Sequence, residues 1–79
     1  MLYSRTEQMA TPIQIELEQE DDRRWIADVP ALPGVMTYGI TREEALRNVQ
    51  ALALRVIADR LENGEEVPEA ITQMFDSAR

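Results

Sequence analysis

From Thr11 to Glu18 the stretch TPIQIELE alternates apolar and polar residues one by one, the period of a strand with one buried face. Ile13, Ile15 and Leu17 share one side, and Gln14, Glu16 and Glu18 share the other. The polar QEDDRR follows as a turn. RWIADV then resumes in β-forming residues, with Trp25, Ala27 and Val29 on one face and Ile26 and Asp28 on the other. A hairpin is predicted. After it, VPALPGVMTYG holds two of the four prolines and two of the three glycines. The fixed φ of Pro30 and Pro33 and the turn-forming Gly34 predict a tight corner leading into a third short strand, VMTY, ended by Gly39.

Thr41 to Glu44, TREE, has the form of a capping box, in which the Thr41 hydroxyl accepts from the Glu44 amide and the Glu44 carboxylate reaches back to the Thr41 amide. From Arg42 no proline or glycine intervenes until Gly64, the natural residue just beyond a helix end. One long helix is predicted. Its apolar residues, Leu54 and Leu61 among them, fill an arc of roughly 200°, wider than the stripe one core contact requires. Two accounts of that width stand side by side: the helix lies in a concave sheet and touches it broadly, or the Leu54 and Leu61 edge meets another chain. Arg60 falls within the arc near the helix C-terminus, where its stem can pack while the guanidinium complements the dipole.

Residues 70–76 carry Ile71 and Phe75 and read either as a short fourth strand returning beside the first or as a frayed end. The expected class is α+β: a three-stranded antiparallel meander, one long helix, then a fourth strand, β-β-β-α-β. Residues 1–10 read as an N-terminal extension and residues 11–79 as a single domain.

At 79 residues, a domain buries only about 60–65% of the surface its unfolded chain exposes. Association adds the missing burial, so a homo-oligomer is expected. The apolar residues fall in separate segments, with no run able to span a membrane and no signal-peptide pattern in MLYSRTEQMA, so a cytoplasmic location is expected. There is no cysteine and no histidine, which removes disulfides, thiolate catalysis and the commonest general base and metal ligand. The net charge of −7 opposes direct nucleic-acid binding by the chain alone and favours encounter with a basic partner.

The remaining candidates for chemistry are weak. Glu18 to Asp22, EQEDD, lacks the spacing of a calcium loop and reads as a solvated turn. Asp28 has apolar neighbours on both sides, Ala27 and Val29, but it lies on the face opposite Trp25. Ser4 and Ser77 have no histidine to activate them, and lysine is absent. No catalytic, cofactor-binding or metal-ligating set is expected, and the chain is not expected to be an enzyme. Trp25 reads as core, whereas Tyr38 reads equally as core or surface. For partner contact the candidates are Asp21 and Asp22 for steering, Tyr38 at the end of the third strand, and Leu54 and Leu61 on the surplus helix arc.

In order and spacing, Trp25-Ile26-Ala27 before Pro30, then Leu32-Pro33-Gly34, Gly39 and Thr41-Arg42-Glu43-Glu44-Ala45 resemble the HicB-like antitoxin family. The resemblance runs roughly from Ile13 to Phe75. It implies a truncated RNase H-like fold and a function in binding and neutralising a small basic HicA-type toxin that cleaves mRNA. Many HicB proteins carry a further DNA-binding segment, and this chain is expected to act without one. The sequence departs from the family at the hairpin, where Asp22-Arg23 replaces a frequent Asp-Gly turn, and in the extension over Met1 to Thr11. The resemblance supplies no catalytic residue. The other functional expectation is a solitary self-associating regulatory module with no toxin partner.

Overall fold

The computed structural model describes residues 12–75. Three antiparallel strands, β1 (Glu16–Gln19), β2 (Trp25–Asp28) and β3 (Met36–Gly39), form a sheet in the order β1-β2-β3. A long helix, α1 (Arg42–Glu62), covers one face, and a short helical turn, α2 (Glu69–Thr72), follows. The architecture is α+β, as the alternation and the capped helix predict. The proposed extension over residues 1–10 lies outside the described residues.

The β1–β2 hairpin closes with the Glu20 N–H donating to the Arg24 carbonyl at 2.7 Å and the Arg23 N–H to the Glu20 carbonyl at 2.9 Å. Three residues span the gap, and the last of them, Arg23, sits at φ +78°. This position of a three-residue hairpin is one at which glycine is favoured. Arg23 thus takes up the left-handed conformation that glycine is favoured for at this position.

Strand β1 begins five residues later than its alternation suggests. Ladder pairing starts at Glu16 opposite Asp28 because β2 stops there. Beyond it the Val29 N–H donates to the Val35 carbonyl at 3.1 Å, and Pro30 has no N–H to offer. Ile13 and Ile15 still point toward the core as the period predicts. Two consecutive turns form the corner, with the Leu32 N–H donating to Val29 at 2.9 Å and the Val35 N–H to Leu32 at 3.0 Å. Between them the Leu32 side chain is fully buried, so the corner contributes to the core as well as reversing the chain.

Thr41 caps α1: its hydroxyl accepts from the Glu44 N–H at 3.0 Å. The reciprocal bond goes to the Ile40 N–H rather than to Thr41, one residue earlier than expected. At the other end the Gly64 N–H donates to Leu61 at 3.2 Å and the Glu65 N–H to Arg60 at 2.8 Å, with Gly64 at φ +70°. This is a Schellman stop. Ala45, Val49, Ala53 and Ile57 line the buried face of the helix and pack on Ala27, Val29, Leu32 and Val35.

The expected fourth strand over 70–76 is not seen among the described residues. The segment is helical at Glu69–Thr72, following Pro68. Proline sets the φ of a helix start and Glu69 suits the first turn. Ile71 is buried as a single anchor, and the Thr72 hydroxyl donates to the Glu69 carbonyl at 2.9 Å. One buried residue followed by exposed Met74 and Phe75 is not the alternation of a strand.

Candidate functional site

With α1 covering one face, the strand register determines what the other presents. Two cross-strand rows run across it: Glu16, Asp28 and Met36, then Glu18, Ile26 and Tyr38. Glu16, Glu18, Glu20, Ile26, Asp28 and Met36 line a shallow depression there. The carboxylates collect on the β1 side, while Met36 and Tyr38 on β3 are 48% and 42% exposed.

Glu16 and Asp28 lie directly opposite each other, and like charges in that position destabilise a sheet. No cation among the described residues forms an ion pair with either; the only ion pair there joins Arg24 to Asp22. A positively charged group brought to this pair would relieve that repulsion. Among the described residues no group of three or more carboxylates is arranged to hold a metal ion.

At the hairpin end, Asp22 accepts from the Arg24 N–H at 3.1 Å and from Arg24 Nε at 2.8 Å. The Arg24 backbone N–H, and then its guanidinium, hold the Asp22 carboxyl below the ordinary carboxylate value. The guanidinium also lies 4.4 Å from the centre of the Tyr38 ring, within cation–π range. Asp22, Arg24 and Tyr38 thus form one continuous rim.

The five residues read as partner contacts separate into two groups. Asp21 and Asp22 are exposed in the hairpin loop and Tyr38 lies on the open sheet face. Leu54 and Leu61, 60% and 49% exposed, lie on the flank of α1, in the layer on the other side of the sheet. Trp25 packs against the core, as read. Sequence reasoning did not assemble Glu16, Glu18, Ile26, Asp28 and Met36 into one surface. The available signal was the two-residue period of both strands, but turning it into rows needs the pairing register.

The described residues form a small α+β domain with one helix-backed sheet and an open acidic face, and no helix among them is long and apolar enough to cross a membrane. The UPF0150 protein Ta0767 of Thermoplasma acidophilum is 33% identical over 52 residues, covering 66% of this chain and 75% of that protein. The chain belongs to the UPF0150 family. No protein-family model matches it. No solved structure matches it.

Proposed function

We propose that this protein is a HicB-like antitoxin, which binds and neutralises a small basic HicA-type mRNA-cleaving toxin through the open face of its sheet. The observation that carries this reading is the Glu16–Asp28 pair, two carboxylates set opposite each other with no cation in range among the described residues. A basic partner supplies the missing charge. The exposed Met36 and Tyr38 beside it supply apolar contact, giving the mixed surface from which protein interfaces are made. The strand–strand–strand–helix order, the motif string from Trp25 to Ala45 and the net charge of −7 agree with it.

The reading couples stability to binding. Glu16→Gln removes the like-charge pair, so the free domain gains stability, by about 0.2–1 kcal/mol on the scale of cross-strand pairs, while the partner loses a charge contact. Co-expression with the short basic protein encoded next to it is expected to relieve growth arrest and yield a co-purified complex. Glu16→Lys combined with Asp28→Lys abolishes both while the chain remains folded. An equally tight complex in the doubly reversed variant, or no basic neighbour and no complex, refutes the proposal.

A further inference from the structure

The helix does not sit centrally on the sheet. It packs most extensively on β3, less on β2 and least on β1, so the core face of β1 is only half covered. Ile13, Ile15, Ala53, Leu54, Ile57 and Ile71 line an open apolar groove along that side. Next to the groove, Ala51, Leu54, Ala58 and Leu61 follow one another at intervals of three, four and three residues, all exposed. This is the spacing of a coiled-coil seam, on a flank turned away from the buried face of α1 with Leu54 at its edge toward the groove.

We infer that the flank of α1 bearing Ala51, Leu54, Ala58 and Leu61 is the interface with a second copy of this chain, the two helices running antiparallel. The stripe is self-complementary in that direction. Antiparallel alignment sets Leu54 over Ala58 of the second copy and Ala51 under its Leu61, a large residue against a small one in every layer. The same alignment brings Glu62, in the last turn of α1, within about one turn of Arg47 of the second copy at both ends of the seam. A parallel pair instead places leucine on leucine, alanine on alanine and Arg47 on Arg47. A two-fold axis repeats each contact, as closed dimers require. The neighbouring helix also covers the groove over Ile13 and Ile15 that α1 leaves open.

The absence of cysteine makes the register directly testable. Ala51→Cys and Leu61→Cys chains, mixed and oxidised, are expected to give a crosslinked dimer, whereas neither variant crosslinks alone. Ten residues of one helix span about 15 Å, so positions 51 and 61 of the same chain cannot bridge. In the unmodified full chain, sedimentation equilibrium is expected to show a dimer at about 100 µM, and Leu54→Arg, which acts twice across the axis, weakens it at least about a hundredfold. Circular dichroism verifies that the exposed-site variants stay folded. Added salt screens the repulsion between two chains of charge −7 and strengthens this dimer. The same salt weakens a complex made through the acidic sheet face, so the two readings fail separately. A monomer at about 100 µM in both low and high salt, or efficient crosslinking by Ala51→Cys alone, overturns the inference.

Discussion

Gly39 is the point at which helix and sheet come closest. A Cβ built there lies 2.3 Å from the Ala45 nitrogen, 2.8 Å from the Ala45 Cα and 2.9 Å from the Glu44 carbonyl carbon. All three are backbone atoms in the first turns of α1, so no side-chain rotation relieves the clash. Gly39→Ala therefore has to lift the helix start by about 1 Å, the gap between the observed 2.3 Å and ordinary van der Waals contact. That shift strains the Thr41 cap and the hydrogen bond from Thr37 Oγ1 to the Ala45 carbonyl. Overpacking of this kind costs about 1–3 kcal/mol, and loss of a cap adds about 1 kcal/mol. A total of about 3 kcal/mol lowers the melting temperature of a domain this size by roughly 12–24 °C. Gly34→Ala is the matched control: a Cβ there meets nothing within 4 Å, and only the left-handed φ of +89° opposes it. That cost is about 1–2 kcal/mol. Thermal and urea unfolding of the two variants compare directly, and a Gly39→Ala loss no larger than the Gly34→Ala loss refutes the close-approach argument.

Arg23→Gly at φ +78° relieves backbone strain in the hairpin loop, so it is expected to raise stability by about 1 kcal/mol, read as a higher urea midpoint with an unchanged slope. No gain in midpoint contradicts the assignment of strain there. The Asp22 carboxyl is held below its unfolded value, so its contribution is fully present above the unfolded pKa and is lost as pH falls through the lower folded value. An NMR titration is expected to show a depressed Asp22 midpoint that Arg24→Gln raises only in part, because the Arg24 backbone N–H remains. Full return to the ordinary value assigns the effect to the guanidinium instead.

Much of the fold was legible because its signals are local. The alternation of Ile13, Ile15 and Leu17, the Thr41 cap and the Gly64 stop each act over a few residues, and each is found where the chain carries it. The end of β1 was not legible, because it depends on where β2 runs out at Val29 and Pro30, far away in sequence. The tail was misread for a different reason. Ile71, Thr72 and Phe75 favour a strand by propensity, yet the Pro68-Glu69 start signal and a single buried anchor outweigh so weak a preference over four residues. Of the acidic face, the individual residues were visible and their partnership was not: Glu16 and Asp28 meet through register, which alternation alone does not specify.

The asymmetry of the helix links the two surfaces to one cause. Gly39 admits Ala45 to backbone contact, Thr37 donates to the Ala45 carbonyl at 3.3 Å, and Asn48 Nδ2 donates to the Tyr38 carbonyl at 3.0 Å. All three ties fasten the N-terminal half of α1 to β3, and no comparable polar tie among the described residues holds it to β1. The helix consequently leans away from β1, opening the apolar groove beside Leu54. Because that groove is in the helix layer, covering it buries nothing of the row Glu16, Asp28 and Met36 on the far side of the sheet. A second copy on the helix flank and a basic partner on the open sheet face therefore compete for no common residue, and a dimer of this form carries two independent acidic faces pointing away from its seam.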